Sequence, residues 1–417
     1  MKKIRLLAVL LSAALVFALT GCSNSSGGSS ADTQTTANNG SGNAGTSGSG
    51  SGTSGSGGSG GAGTGGTGGT GGGSTPPVVT DYKAGDVALA AIKIGDATFG
   101  KTEEVYATGK NGASITGADP SFVDSSAADD DKGVFRNGRN VTLSPFIMSK
   151  YEVTQELYTA VMAGQKETVG GVEKTLAAEP FYCKETGTYP LVNGETQNLR
   201  SAEGMTWYDA VYFCNALSEK IGLTKAYTIT VTTVNSKGNI TAATVEPVAN
   251  ANGYRLPTEA EWEFAARGGD STKTAWNYLF SGAAKAYGTS YSDSENTGLD
   301  TVGWYKYNTV NGTTGNSTPS SGAAGYGSHE VGKKSANALG LYDMSGNVWE
   351  WCYDVYDTVG EGNVTNPTGP ASGSNRVNRG GGWDNSAACC SVARRDGNCS
   401  PYGRFLNLGF RVVRSAQ

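Results

Sequence analysis

Histidine is almost absent from this 417-residue sequence, which contains only His329. A single imidazole excludes metal sites built from several histidines, and it leaves a Ser-His-Asp or Cys-His catalytic site dependent on one loop residue. An excess of positive charge is also lacking: the net charge is −5 and provides no basic patch, so we expect no nucleic-acid partner. The cysteines lack CxxC or zinc-type spacing, which argues against a structural zinc site.

A second deficit is confined to one segment. Between Asp384 and Leu408 there is no Lys, Glu, Gln, Met or Trp, although all five occur upstream. No codon ending in C or T encodes these residues, so the segment fits a gene region in which the first two bases of AAC-like codons were randomised. The alternative is an ordinary loop, in which Asn, Gly, Ser and Asp are common. The deficit favours variable binding over fixed catalysis.

The N-terminus predicts export. Basic residues precede an apolar run from Leu6 to Leu19, which is too short for a stable membrane span. The following Leu19-Thr20-Gly21-Cys22 resembles the lipobox of bacterial lipoproteins, which implies a signal peptide and lipobox over residues 1–22 and lipidation of Cys22. The alternative is a secretory signal with a chance cysteine. We expect a lipid-anchored protein of the bacterial cell envelope, on its outer surface, that meets the membrane only through the anchor.

Residues 23–80 are rich in Gly, Ser and Thr. Such a segment buries too little apolar surface to offset its ordering entropy, so we expect a disordered tether with a reach of roughly 40 Å. No second linker divides residues 81–417, which we therefore expect to form one domain.

Capping chemistry predicts three helices in this domain. Thr258 and Glu261 form a capping-box pattern, and two further helices are expected to start at Thr206 and Thr154. Short alternating runs at residues 141–143 and 227–231 predict strands. The many Gly, Asn and Ser residues between them predict an α+β domain that is loop-rich, with little regular secondary structure.

Several long motifs occur in one order along this domain. They are residues 141–146 (VTLSPF), 151–155 (YEVTQ), 254–263 (YRLPTEAEWE), 340–351 (GLYDMSGNVWEW), 379–381 (RGG) and 409–411 (GFR). The set resembles the formylglycine-generating enzyme (sulfatase-modifying factor) family. The resemblance implies a C-type-lectin-like fold of that enzyme's type.

The same resemblance implies calcium as a cofactor. Family members bind calcium around the Gly-Leu-Tyr motif, and the matching positions here are Asp343, Gly346, Val348 and Glu350. Carboxylates and backbone carbonyls are hard oxygen ligands suited to that ion. The alternative is that Asp343 and Glu350 only brace the loop.

The family's oxidase uses copper and two cysteines, five residues apart, after its Arg-Gly-Gly motif. Counted from Arg379, these positions hold Asn385 and Cys390. Because an amide cannot supply the soft thiolate that copper requires, the resemblance argues against copper and against oxidase activity. Cys390 would be catalytic only if the protein were a divergent oxidase.

The C-terminal block, residues 379–411, also resembles the variable region of proteins diversified by retroelements, especially treponemal variable lipoproteins. The predicted ligand-binding positions are Asp384, Asn385, Ser386, Ala388, Cys389, Arg394, Asp396, Gly397, Asn398, Cys399, Ser400, Tyr402, Gly403, Phe405, Leu406 and Asn407. The remaining residues would form a constant frame. Aromatic residues with Asn, Ser and Gly are typical of a paratope.

The sequence therefore predicts a surface lipoprotein that binds a protein or glycan ligand through this block, without catalysis. Two alternatives stay open: a divergent formylglycine-generating oxidase acting on a sulfatase cysteine, and a structural or accessory envelope protein with one fixed partner.

Overall fold

The structure is a computed structural model that describes residues 80–123, 127–283, 296–310 and 320–416. The predicted signal peptide and lipobox, Cys22 and residues 23–79 of the predicted tether lie outside the described residues. Within them, no helix is both long and apolar enough to cross a membrane.

Helices are few and short among the described residues. The α-helices are α1 Asp129–Lys132, α2 Gln155–Met162, α3 Trp207–Lys220, α4 Glu259–Ala266 and α5 Thr297–Val302. Three single 3₁₀ turns occupy Gln197–Leu199, Thr274–Asn277 and Ala387–Cys390.

The strands are mostly short and are joined by long ordered loops. In chain order they are β1 Val87–Leu89, β2 Lys93–Ile94, β3 Ala97–Thr98, β4 Glu104–Tyr106, β5 Ala113–Thr116, β6 Arg139–Leu143, β7 Phe146–Ser149, β8 Lys166–Val169, β9 Val172–Thr175, β10 Tyr227–Val234, β11 Ile240–Pro247, β12 Trp349–Val355, β13 Gly362–Thr365, β14 Arg376–Arg379, β15 Arg395–Cys399, β16 Leu408–Gly409 and β17 Val413–Ser415. The predicted loop-rich α+β class is confirmed.

The three predicted helix starts are confirmed. The Thr258 hydroxyl accepts from the Glu261 backbone N–H, and the Glu261 carboxylate accepts from the Thr258 N–H in return. Thr206 and Asp209 form the same reciprocal box at α3, and the Thr154 hydroxyl caps α2. Each cap satisfies N–H groups that the first helical turn leaves without a partner.

One four-stranded sheet brings distant motifs together. Its order is β15-β14-β12-β16, with β12 antiparallel to β14 and parallel to β16. Glu350 of β12 therefore lies between Arg379 and Gly409 of the neighbouring strands. A second sheet has the order β1-β4-β7-β17, and a third has the order β13-β6-β5.

Five tryptophans are almost completely buried: Trp207 on α3, Trp262 on α4, Trp349 and Trp351 on β12, and Trp383 within the C-terminal block. Their indole N–H groups are satisfied internally; that of Trp207, for example, donates to the Cys352 carbonyl. The core thus lies directly beneath the C-terminal block.

Candidate functional site

Arg379 anchors the start of the C-terminal block. Its guanidinium is fully buried and pairs with Glu259 at 3.3 Å and with Glu263 at 2.6 Å, both on α4. The same group donates to the backbone carbonyls of Val392 and Ala393. One side chain therefore ties the turn of the block to the helix beneath it.

Two further buried arginines hold the rest of the block. Arg395 makes a two-point ion pair with Glu259, at 2.6 and 2.9 Å. Arg411 does the same with Glu350, at 2.7 Å for both bonds, and Glu350 also accepts from the Trp262 indole at 2.7 Å. Removing one partner of such a pair typically costs about 3–5 kcal/mol because the other charge stays buried.

The predicted constant frame is almost entirely buried. Its members are Arg379, Gly380, Gly381, Trp383, Ala387, Cys390, Ser391, Val392, Ala393, Arg395, Pro401, Arg404, Leu408, Gly409, Phe410 and Arg411, and only Pro401 and Arg404 are half-buried. Arg404 donates to the backbone carbonyls of Gly204 and Pro180, so it ties the C-terminal block to the loops that contain these two residues.

The predicted ligand-binding positions divide by burial. Those that are exposed or half-buried are Asp384, Asn385, Ser386, Ala388, Arg394, Asn398, Ser400, Tyr402, Gly403, Phe405 and Leu406. Those that are buried are Cys389, Asp396, Gly397, Cys399 and Asn407. The side chains at these five buried positions can support a binding surface but do not form its exposed part.

Gly397 is the most constrained of the buried positions. A Cβ atom there would lie 2.0 Å from Cγ of the Tyr356 ring. Any side chain therefore requires the ring to move, so the packing disfavours free variation at this position. Tyr402 is the opposite extreme, with 61% of its surface exposed.

Three tyrosines outside the block extend its exposed face. Tyr326 packs edge-on against Trp383 at 4.8 Å and stacks on Tyr189 at 5.6 Å. Arg404 lies over the Tyr182 ring at 5.3 Å. Sequence reasoning missed these tyrosines because they lie far upstream of the block, and no local pattern marks them. Burial, with a smaller effect of Cys183, raises the pKa of Tyr189 to about 12.

Asn385, at the first cysteine position of the oxidase, acts as a hydrogen-bond acceptor within the fold. Its Oδ1 accepts from the Trp349 indole at 2.7 Å and from the Gly382 N–H at 3.0 Å. Cys390, at the second position, is fully buried, and its sulfur is 3.7 Å from the Ser386 carbonyl oxygen. The two positions therefore hold a structural amide and a buried sulfur in place of a thiol pair.

The predicted calcium positions lie beside a buried acidic cluster. Asp343 accepts from the Gly332 N–H through Oδ2, while its buried Oδ1 has no hydrogen-bond partner. Glu152, which sequence reasoning missed, accepts from the Val348 N–H and the Asn347 amide. Burial raises the pKa of Asp343 to about 6. Burial, together with the Asp343 carboxylate, raises the pKa of Glu152 well above its ordinary value.

Asp343 and Glu350 differ in how well they fit a calcium site. The partnerless Asp343 oxygen is the kind of hard ligand that calcium takes. Glu350, in contrast, already satisfies Arg411 and Trp262 with its two oxygens. Across the described residues, no three His, Cys, Asp or Glu side chains are grouped so that they could hold a metal ion. Asp343 fits the ion and Glu350, as placed, does not.

His329 is structural in its setting. Its ring is fully buried and stacks on Trp304 at 3.9 Å. Nδ1 is 2.8 Å from a Glu195 carboxylate oxygen, and Nε2 is 2.9 Å from the Thr309 hydroxyl. Both ring nitrogens therefore form hydrogen bonds that join separate loops.

Comparison with known proteins gives consistent matches. The family model of the sulfatase-modifying factor enzyme 1-like domain matches residues 100–416. The chaperone protein LppX of Paenibacillus barcinonensis is 33% identical over 290 residues, which are 66% of this chain and 82% of that protein. The formylglycine-generating enzyme of Thermomonospora curvata is 34% identical over 171 residues, 39% of this chain but only 49% of the enzyme.

A solved structure agrees in fold with this domain. Treponema denticola variable protein 1 superposes with a TM-score of 0.53 at 30% identity, over 78% of this chain and 98% of that one. The predicted C-type-lectin-like fold of the formylglycine-enzyme type is thereby confirmed.

Proposed function

We propose that this chain, which belongs to the family of sulfatase-modifying factor enzyme 1-like domains, binds a ligand through its C-terminal block and does not catalyse oxidation. The observation that carries the proposal is the division of the block into a buried frame and an exposed set of side chains. A frame held by buried ion pairs presents the exposed side chains without a large ordering cost on binding. This arrangement suits a surface whose contact residues differ while its fold stays constant.

The exposed side chains have the chemistry of a recognition surface. Tyr402 and Phe405 offer rigid aromatic area, and Ser400 and Asn398 offer adaptable hydrogen bonds. The ligand in our proposal is a protein or glycan met at the surface of a bacterial envelope, where the lipid on Cys22 would hold the chain. Calcium beside Asp343 is part of the same proposal, as a structural ion beneath the block.

Asn385 supports a binding role over an oxidase role. Its amide oxygen satisfies two N–H donors of the fold, and no thiolate can form there to bind copper(I). The oxidase alternative requires copper-dependent conversion of the cysteine in a CxPxR-type peptide, lost in Cys390→Ser. That result with the purified full chain would overturn the proposal.

Binding is tested with the full chain on paired glycan and protein arrays. We expect at least one reproducible ligand, whose signal is lost in Tyr402→Ser. The matched control is Val172→Ser, which removes a comparably exposed apolar side chain from β9, outside the block. Equal signals for the wild type and Tyr402→Ser would show that the block does not carry binding.

Diversification is tested by reading the gene. We expect the codons of half-buried positions such as Ala388 and Leu406 to end in C or T, with an AAC-rich near-repeat close to a reverse-transcriptase gene. Codons ending in A or G at these positions would refute diversification but not ligand binding by a fixed surface.

A further inference from the structure

A cavity lies at the start of helix α4. It measures about 510 Å³ and is enclosed by the first residues of α4, the end of β12 with the loop after it, and β13 with the loop after it. Its lining includes none of the predicted ligand-binding positions. The volume falls within the range of about 300–1,000 Å³ that is usual for small-molecule sites.

One wall of this cavity carries a buried carboxylate without a cation. Asp354 is 3% exposed, and its Oδ2 accepts from the Glu259 N–H at 2.8 Å. Among the described residues, no Lys, Arg or His side chain forms an ion pair with it. Burial and the neighbouring Glu259 carboxylate raise the pKa of Asp354 to about 8, and they outweigh the lowering effect of Arg395.

Another part of the lining carries an arginine with few partners. Arg139, at the start of β6, is half-buried, and its guanidinium donates only a long bond of 3.4 Å to the Val134 carbonyl. Its Nε is buried without a hydrogen-bond partner. Within the described ranges no carboxylate forms an ion pair with Arg139, although Glu259 and Asp354 act on it at longer range. Buried donors of this kind are uncommon because leaving them unpaired costs about 1–3 kcal/mol.

The other charged groups of the lining are either paired or exposed to solvent. Arg395 and Glu259 pair with each other at 2.6 Å. Asp357 is exposed to solvent, and it accepts from the Thr358 N–H at 2.7 Å. Asp354 is therefore the one buried carboxyl group of the lining without an ion pair, and Arg139 is the one cation of the lining without an ion pair.

We propose that this cavity binds a small zwitterion, whose ammonium group meets Asp354 and whose carboxylate meets Arg139. Charge-assisted bonds at both ends would satisfy the two side chains that the fold leaves without ionic partners. The same lining includes Val355, Val359 and Val364, which offer apolar surface for a short methylene stem. The ligand class is thus an amino acid with an aliphatic spacer, and the site is independent of the proposed function of the C-terminal block.

The proposal is tested by calorimetric titration of the full chain with ω-amino acids from glycine to 6-aminohexanoate at pH 8.5, above the pKa of Asp354 of about 8, so that its carboxylate is ionised. Each is compared with the amine and the carboxylic acid of the same chain length. We expect one spacer length to bind about tenfold or more tighter than both single-charge analogues, since each lost charge-assisted bond weakens binding by that order. Equal binding of the amine or the acid, or binding by no member of the series, would overturn the proposal.

Variants locate the binding within the cavity. Asp354→Asn keeps an oxygen for the Glu259 N–H but removes the charge, and Arg139→Gln removes the other charge. Thr365→Trp leaves both charges in place and fills the mouth with a bulky ring, so it tests the site even if a charge variant unfolds. We expect all three to lose binding and Asp96→Asn, an exposed control, to retain it. Binding retained in a folded Asp354→Asn and in Thr365→Trp would place the ligand elsewhere and refute the assignment.

Discussion

Replacing Asp343 with Asn should flatten the dependence of stability on pH. Asp343 is 1% exposed and sits beside the buried carboxylates of Glu152 and Glu350. Asn can still accept the Gly332 N–H, which Asp343 Oδ2 accepts at 2.7 Å. The backbone φ of +57° is also one that Asn tolerates well. The substitution therefore removes a titrating group and little else.

The size of the effect follows from the pKa of Asp343. Burial raises it from 3.8 to about 6, which corresponds to about 3 kcal/mol at about 1.4 kcal/mol per pKa unit. Between these values the folded protein holds a proton that the unfolded chain has released. The contribution of Asp343 to the free energy of unfolding should therefore fall by about 1.4 kcal/mol per pH unit from about pH 4 to about pH 6, then level off.

The assay is urea unfolding of both proteins, with calcium chelated, at half-unit steps from pH 4 to pH 8. The stability of Asp343→Asn relative to the wild type should rise by about 3 kcal/mol between about pH 4 and pH 7. The exposed control Asp96→Asn should parallel the wild type. A difference between wild type and Asp343→Asn that is constant with pH would refute the reasoning, because it would mean that Asp343 titrates alike in both states.

Three further outcomes are expected. Arg411→Met should lower the free energy of unfolding by about 3–5 kcal/mol in urea, because the Glu350 carboxylate stays buried without its partner, and a loss below about 1 kcal/mol would contradict this. Asn385→Ala should lower the free energy of unfolding by about 2–4 kcal/mol in the same assay, because it leaves two N–H donors unsatisfied. Asn385→Asp keeps the acceptor oxygen and should therefore lower it less. Excess calcium at pH 7.5 should raise the melting temperature of the wild type but not of Asp343→Asn, and an unchanged wild type would count against the calcium proposal.

The structural features that the sequence predicted are those that depend on residues close together in the chain. Capping at Thr258, Thr206 and Thr154 was predictable because each cap involves residues only three positions apart. The turn after α4 is similar: Gly268 and Gly269 adopt φ values of +84° and +75°, which close the helix with local backbone bonds.

The candidate site was only partly predictable. The replacement of the first oxidase cysteine by Asn385 is visible in the sequence, but its role as an acceptor for the Trp349 indole is not. The deficit of five residue types marked the C-terminal block, yet it gave no means of separating exposed Tyr402 from Gly397, which packs under a tyrosine ring.

The sequence alone determined the family, the helix starts and the exclusion of metal sites built from several histidines, because each depends on residue identity or on neighbours within a few positions. Tertiary structure decided which side chains face solvent, that Tyr182, Tyr189 and Tyr326 border the block, and that Asp354 and Arg139 line one cavity. Those relations join residues far apart in the chain. Burial and charge pairing arise only once strands and loops have packed, so no local pattern encodes them.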